Sequence, residues 1–235
     1  MKIAIMQPYF FPYIGYFQLI NAVDHFILFD DVQYIRHGWI NRNRILKPAE
    51  GHQYVIMPLA DHGRDDLIRD IKIKEGYEWK EKIIRQTEHY KKKSPFYNPV
   101  KKLLEECFAV SETNVAYVNG FFIKNVFNYI GIDFDIKISS ERGFDYSNVH
   151  DAGEWALRIS EQCEASEYIN PPGGIALFDK AKFEKSNIKL SFIHPQLKEY
   201  SQRRSTFEPG LSVIDILMFN APETVKEMLN DYTIS

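Results

Sequence analysis

Two short apolar runs lie within the first thirty residues, at 3–6 and 26–29, and they constrain the fold most. Two prolines in residues 7–12 interrupt regular backbone, since proline fixes φ and restricts the residue before it. The apolar spacing over residues 15–23 then predicts a short amphipathic helix. Strand, helix and strand in this order form a βαβ unit with parallel strands. We therefore predict an α/β protein with a Rossmann-like, mostly parallel sheet flanked by helices.

The remaining 205 residues extend the same α/β pattern. Residues 78–130 are mostly helical by their apolar spacing, and we interpret them as a helical insertion or subdomain. Because no repeat or linker divides the chain, we predict a single α/β domain over residues 1–235. Other strands are predicted at 54–57, 68–73, 134–138, 168–170 and 188–192, and other helices at 151–163, 211–220 and 222–232.

Composition narrows the class of protein and the class of ligand. Cys107 and Cys163 stand alone, which predicts neither a disulfide framework nor a zinc site. The first residues do not match the pattern of a leader peptide, and no apolar stretch has membrane-spanning length. We therefore expect a cytoplasmic protein without an integral membrane segment. Residues 36–106 carry 16 Lys and Arg against 11 Asp and Glu, in a chain of net charge −3. This favours a discrete phosphorylated ligand over nucleic acid, although solvated helix faces would also explain it.

The loop after the first predicted strand is rich in tyrosine. Ligands of open α/β sheets bind at the carboxyl ends of the strands, beside helix N-termini. We therefore predict a binding site there; the alternative is an aromatic plug that closes the end of the sheet. The residues assigned to substrate binding in this loop are Gln7, Tyr9, Tyr13 and Gly15.

Two adjacent carboxylates, Asp30 and Asp31, follow the second predicted strand. Carboxylates at this place can bind Mg²⁺, accept hydrogen bonds from ribose or act as a base. Since successive strand residues point to opposite sides, at most one of them faces the site. We predict Asp31 as a catalytic base, with Tyr34 binding substrate beside it; the alternative is a turn or a helix cap.

A basic and aromatic segment comes next in the sequence. Arginine forks suit phosphate or carboxylate, and a tryptophan can stack on a base or a sugar. His37 is a second candidate base, and the alternative is a surface loop with solvated arginines. The residues assigned to substrate binding here are Arg36, Trp39, Asn41, Arg42 and Arg44.

Two later segments add candidates. Asn170 and Gly173 belong to a Pro–Gly loop after another predicted strand, where they would join the same site. Asp215 lies in an apolar helix, and we predict a buried ion pair with an arginine.

The phosphate-loop, dinucleotide, zinc-protease and hydrolase motifs are absent, so a metal-free site or one with Mg²⁺ is the default.

Five motif blocks lie along nearly the whole chain: MQPYFFPYIGYFQLI, FDDVQYIRHGWINRNRI, Ser139-Ser140, YINPPGG and FEPGLSVIDILMFN. Through these blocks the chain resembles the WbqC-like family. The resemblance implies a role in O-antigen (lipopolysaccharide) or related surface polysaccharide biosynthesis, with transfer of glycine to a sugar as the proposed activity of the family.

The opening residues are also similar to those of HIGH-type nucleotidyltransferases and adenylating ligases such as pantothenate synthetase. Met6-Gln7-Pro8 leads into Tyr13-Ile14-Gly15-Tyr16, with tyrosines where that superfamily has histidines, and residues 137–140 are similar to its second signature. Those enzymes use ATP with Mg²⁺, whereas the residues of this chain leave the cofactor open.

Together these features predict a transferase that moves a glycyl or other acyl group to an amino sugar linked to a nucleotide or a lipid. A non-catalytic sugar-nucleotide-binding or scaffold protein of the same pathway is the main alternative. An ATP-dependent adenylating amide ligase is a further one. The expected partners are a phosphorylated small molecule and a second copy of the chain.

Overall fold

The computed structural model describes residues 1–235 and begins with the predicted βαβ unit. Strand β1 is Lys2–Met6, helix α1 is Ile14–Asn21 and strand β2 is His25–Leu28, which pairs with β1 in parallel. The remaining strands are β3 (Arg42–Leu46), β4 (His52–Ile56), β5 (Ile136–Ile138), β6 (Glu167–Asn170), β7 (Lys189–Pro195) and β8 (Tyr232–Ile234). The remaining helices are α2 (Trp79–Thr87), α3 (Tyr97–Phe108), α4 (Val115–Tyr129), α5 (Glu154–Gln162), α6 (Lys180–Lys185), α7 (Val213–Phe219) and α8 (Pro222–Met228).

Six strands form the central sheet, in the order β5-β2-β1-β6-β7-β8. All neighbouring pairs are parallel except β7 and β8, which are antiparallel. The predicted Rossmann-like α/β class is therefore confirmed. Because the chain passes from β1 to β2 on one side and β6 lies on the other, the crevice between the ends of β1 and β6 is a topological switch point, where ligands of open sheets bind.

Side chains alternate across the sheet and divide the core into two layers. Ala4, Phe26 and Leu28 face a large core that also includes residues of α1, α3, α4 and α7. Ile3 and Ile27 face a smaller core beneath α5 and α6. Since the sheet is buried on both faces, its strands read as continuous apolar runs in the sequence.

The helical segment α2–α4 packs into the larger core, together with the two-stranded hairpin β3–β4. Asn114 is the N-cap of helix α4, and its side chain accepts hydrogen bonds from the backbone N–H groups of Ala116 and Tyr117. Such a cap satisfies donors that the first turn of a helix leaves unpaired. The division of the chain into one domain with an insertion or a subdomain stays a prediction. None of the helices, α4 with fifteen residues included, combines the length and the apolar character of a membrane span.

One predicted element is wrong in type, and another is too long. Residues 68–73 do not form a strand; the chain there makes a 3-10 turn, Ile68–Asp70, flanked by single bridges such as Leu59 with Ile73. The predicted helix 222–232 ends at Met228, and the chain continues into strand β8. Strand β3 was not predicted, because its outward positions are charged arginines.

Candidate functional site

The loop after β1 is held rigidly by distant polar side chains. Phe11 has a positive φ of 39°, which a residue with a β-carbon rarely adopts. The buried amide of Asn43 donates to the carbonyls of Phe10 (3.1 Å) and Phe11 (2.6 Å), and Ser212 Oγ donates to Phe11 O at 2.7 Å. These bonds stabilise the strained turn and fix where the neighbouring tyrosines lie.

Part of this loop is indeed an aromatic plug. Phe10 and Phe11 are buried in the larger core, where the Phe11 ring stacks on Phe122 with 4.7 Å between centroids. Tyr16 is also buried, and its hydroxyl donates to the carbonyl of the half-buried Gln7 at 2.8 Å. These phenylalanines and Tyr16 therefore stabilise the end of the sheet and leave the other rings for a ligand.

Four side chains form a surface that we call the aromatic platform: Tyr9, Tyr13, Trp39 and Arg44. The rings of Tyr9 and Trp39 stack with centroids 5.9 Å apart, and Tyr13 lies 6.2 Å from Tyr9. The guanidinium carbon of Arg44 lies 5.4 Å from the Trp39 centroid, within the range of a cation–π interaction. Nη2 of Arg44 donates to the carbonyl of Gly210 at 3.1 Å, while its buried Nε has no partner in the protein.

Desolvation keeps the platform hydroxyls protonated. Burial raises the pKa of Tyr9 and of Tyr13 above that of a free tyrosine. A protonated phenol can donate a hydrogen bond to a ligand oxygen. The platform therefore presents two phenolic donors and a cation around exposed ring surface, a combination that suits an oxygen-rich anionic ligand.

Gly15 determines where the Tyr13 ring lies. A β-carbon at this position would be 2.4 Å from Cε2 of Tyr13. The absence of a side chain therefore lets the ring cover the first turn of α1. This gives Gly15 a positioning role beside the platform.

Asp30 joins the ends of β2 and β5. Its Oδ1 accepts from Ser139 Oγ at 2.8 Å and from the Ser140 N–H at 2.9 Å, and its Oδ2 accepts from Ser140 Oγ at 2.7 Å. The carboxylate is buried and its acceptor sites are occupied by these donors. Asp30 therefore has a structural role, and the Ser139-Ser140 pair is explained by it.

Asp31, the predicted base, is also bound by neighbouring side chains. Its Oδ1 lies 2.8 Å from Nη1 of Arg69, and its Oδ2 accepts from the Tyr146 hydroxyl at 2.6 Å. Burial, and next the Asp31 carboxylate, raise the pKa of Tyr146. Asp31 is itself 7% exposed, so it presents little surface to a substrate amine. Its role as a base stays a prediction.

The basic segment divides into two groups. Arg36 and His37 lie exposed on a turn where His37 has a φ of 64°. Arg42 donates to the carbonyls of Gly38, at 3.2 Å, and His37, and so closes this turn. His37 stays a candidate base, accessible to solvent.

Tyr34 and Asn41 lie beneath that turn. Tyr34 is buried and donates to Asn41 Oδ1 at 3.2 Å, and Asn41 donates to Met57 O at 3.0 Å. These bonds connect the turn to β4 and occupy the groups expected to bind substrate. Substrate binding by either residue stays a prediction.

The Pro–Gly loop lies on the other side of the switch point. Asn170 accepts from the Tyr168 hydroxyl at 2.8 Å and donates to Pro171 O at 2.9 Å. Gly173 is exposed, and a β-carbon there would meet nothing within 4 Å. The structure thus places Asn170 at the end of β6, the strand that pairs with β1, and Gly173 in the turn that follows. Their role in binding stays a prediction.

Sequence reasoning missed several residues that hold the site. Asn43 and Ser212 fix the strained loop, Gly210 orients Arg44, and Arg69 and Tyr146 bind Asp31. Asn43, Gly210 and Ser212 carried a signal, because all three lie in motif blocks. His, Cys, Asp and Glu side chains form no group of three or more that could hold a metal ion.

The predicted arginine partner of Asp215 is wrong. The carboxylate is fully buried and accepts from Tyr90 and Tyr200, each at 2.5 Å, and from Gln202 Nε2 at 3.1 Å. Hydroxyl and amide donors satisfy its oxygens here in place of a cation. The network holds the segment from Tyr200 to Gly210 beside Arg44.

Comparison with known proteins places this architecture in a family. The model of the WbqC-like protein family matches residues 7–227. The uncharacterized protein Rv1507c of Mycobacterium tuberculosis is 31% identical over 225 residues, which cover 92% of each chain. No solved structure matches the chain, so the likeness to HIGH-type enzymes stays a prediction. Since the match spans nearly the whole chain, the protein belongs to the WbqC-like family.

Proposed function

We propose that the protein is a transferase that binds a phosphate-linked amino sugar on the aromatic platform and transfers a glycyl or other acyl group to its amine. The sugar would be linked to a nucleotide or a lipid in surface polysaccharide biosynthesis. The family resemblance supports this pathway, and the chemistry of the platform supports the class of ligand.

The observation that carries the proposal is the placement of Arg44 beside Trp39, Tyr9 and Tyr13 at the carboxyl edge of the sheet. Arg44 is half-buried, and its Nη2 is bound to Gly210 O. The accessible N–H groups of its guanidinium would donate to a phosphate, and the tyrosine hydroxyls would donate to sugar oxygens. An anionic sugar would thus match the donors that the platform presents.

Acyl transfer requires a base near this ligand. The amine nitrogen attacks the activated carbonyl carbon, the bond to the leaving group breaks, and the proton of the amine passes to a base. His37 and Asp31 are the candidates, the first exposed and the second bound to Arg69 and Tyr146. The activated carboxyl comes from an aminoacyl donor or is formed from glycine with ATP.

The test combines binding with turnover. Purified protein is screened with nucleotides and nucleotide-linked sugars by thermal shift, and hits are measured by calorimetry. It is then incubated with a nucleotide-linked amino sugar, glycine and ATP, and the sugar is analysed by mass spectrometry. We expect a gain of one glycyl group; binding without a gain in mass with any acyl donor would refute the transferase.

A second candidate function is non-catalytic sugar-nucleotide binding. The observation that favours it is that both carboxylates after β2 already serve structural hydrogen bonds. It predicts a ligand-induced thermal shift without turnover. In that case Trp39→Ala weakens binding, and no substitution at His37 changes any reaction.

A further inference from the structure

The exposed aromatic surface does not end at the platform but continues onto the β3–β4 hairpin. Arg44 pairs with Tyr54 across the hairpin, and Arg42 pairs with Ile56. Directly paired residues of antiparallel strands point to the same face. The outer face of the hairpin therefore carries both arginines, Tyr54 and Ile56, and we call it the hairpin face.

Close contacts connect the hairpin face to the platform. Arg44 lies over Trp39 at 5.4 Å, and Arg42 lies over Tyr54 at 5.2 Å. Tyr54 and Ile56 are 42% and 46% exposed, whereas Asn43, Ile45 and Val55 on the opposite face are buried. Two arginine–ring pairs thus stand side by side on one solvent-facing surface.

The charge of this surface is positive. Residues 36–60 carry four basic side chains and one acidic side chain, Glu50. The carboxylate of Glu208 approaches the end of the face, but it is paired with His52 at 2.9 Å. An anionic occupant is therefore favoured, and it must also offer surface that packs on aromatic rings.

The hairpin face is longer than a single sugar. Alternate residues of a strand are about 7 Å apart, so the face from His52 to Ile56 is about 14 Å long. A single sugar-phosphate on the platform would leave it uncovered. A long nucleic acid fits less well, because the chain outside residues 36–106 has 13 basic residues against 21 acidic ones.

We infer that the hairpin face binds the further sugars of an acidic or phosphorylated oligosaccharide whose reacting sugar lies on the platform. This inference rests on the proposed function and extends it. The substrate is then a phosphate-linked chain of several sugars rather than a single nucleotide sugar. Rings stack on the sugars, and arginines bind their anionic groups and hydroxyls.

The experiment is a glycan array of bacterial-type saccharides with one, two or four sugars, each in a neutral and an acidic or phosphorylated form. Wild type, Tyr54→Ala and Tyr77→Ala are compared. Tyr77 is the matched control, since it is 60% exposed and pairs with a cation, Lys74, at 5.2 Å on another element. Circular dichroism melting verifies that each variant is folded, and an oligouridine competitor tests nucleic acid.

We expect binding of wild type to rise with chain length and negative charge, and to fall at least fivefold in Tyr54→Ala but not in Tyr77→Ala. Affinity for a single nucleotide sugar should be unchanged in Tyr54→Ala. The inference would be overturned if the oligosaccharides do not bind or if their affinity does not depend on chain length. It would also be overturned if Tyr54→Ala and Tyr77→Ala bind equally well, or if oligouridine displaces the bound oligosaccharide. If the protein still binds a nucleotide sugar in any of these cases, the proposed function stands.

Discussion

Tyr90 donates a hydrogen bond to Asp215 across 2.5 Å, although the two residues are 125 positions apart. Tyr200 and Gln202 complete the set of donors around the carboxylate. No lysine or arginine forms an ion pair with it, and burial raises the pKa of Asp215 to about 6 while the donors oppose this rise. The segment that orients Arg44 thus depends on a buried carboxylate without a counter-ion.

The first prediction concerns pH and Asp215→Asn. A free aspartic acid has a pKa near 3.9, so the higher pKa of Asp215 means that folding favours its protonated form. The stability that the protonated carboxyl contributes is fully present below about pH 4 and is lost as the pH rises to about 6. We expect the free energy of unfolding of wild type, relative to Asp215→Asn, to fall by at most about 3 kcal/mol between pH 4 and 7.

Urea denaturation at each pH measures this difference. Asp145→Asn is the control, because hydrogen bonds from Ser147 lower the pKa of that exposed carboxyl. Between pH 4 and 7 the free energy of unfolding of wild type, relative to Asp145→Asn, should rise, and only slightly. A difference for Asp215→Asn that does not vary with pH would contradict the prediction.

Much of the fold could be predicted because its signals are local. The apolar runs of β1 and β2 and the helix between them lie within thirty residues, and their order implies parallel pairing. Strand β3 has the right alternation, with Asn43 and Ile45 inward, but its outward arginines hide it from a search for apolar runs. The tail beyond α8 becomes a strand only because β7 offers it an edge.

The site was less predictable, because its hydrogen bonds join distant parts of the chain. The sequence places two carboxylates at the end of β2, but not Ser139 beside Asp30 or Tyr146 beside Asp31, more than 100 residues away. Only the folded structure shows that other side chains already bind both carboxylates. Tyr9, Trp39 and Arg44 were predicted to bind substrate, and the structure does bring them together.

The second prediction concerns Asn43→Ala. The change removes both hydrogen bonds and leaves the buried carbonyl of Phe10 unsatisfied, while Phe11 O keeps the bond from Ser212. We expect a loss of about 2–4 kcal/mol in the free energy of unfolding, since the unpaired carbonyl costs about 1–3 kcal/mol and the second lost bond about 1 kcal/mol. The control is Asn125→Ala, whose amide bonds to Phe121 O on an exposed helix face and which should change stability by under about 0.5 kcal/mol. Equal losses in urea denaturation would contradict the prediction.

The third prediction separates stability from binding at Gly15. Alanine in its place gains up to about 1 kcal/mol of helix propensity, but its β-carbon would occupy the position of the Tyr13 ring. The outer end of that side chain can swing away, so the melting temperature should change by only a few degrees. Ligand affinity should fall about as much as in Tyr13→Ala. Calorimetry on both variants checks this, and full affinity in Gly15→Ala would refute a positioning role.

The fourth prediction concerns Trp39→Ala. Stacking on an aromatic side chain is worth about 1–3 kcal/mol per ring, so the affinity for a bound nucleotide sugar should fall roughly 10- to 100-fold. Tyr77→Ala removes a more exposed ring beside a lysine elsewhere and should leave affinity unchanged. Calorimetry under identical salt conditions compares them. Similar losses in the two variants would show that the platform is not the site.

The fifth prediction tests whether Asp31 is a base or a structural anchor. Tyr146→Phe removes the 2.6 Å hydrogen bond to Asp31, and Asp31→Asn leaves one acceptor oxygen for the two donors Tyr146 and Arg69. Each change should destabilise the fold by about 1–3 kcal/mol. The double variant should lose less than the sum, since the two residues share the bond.

Turnover distinguishes the two roles of Asp31. At a temperature where every variant is folded, Asp31→Asn should lower kcat at least 100-fold, as expected for the loss of a general base. Tyr146→Phe keeps the carboxylate and should retain most of its turnover. If Asp31→Asn retains kcat while His37→Ala lowers kcat at least 100-fold, the exposed histidine is the base. Asp31 then serves only to hold Arg69 and Tyr146 at the end of β2.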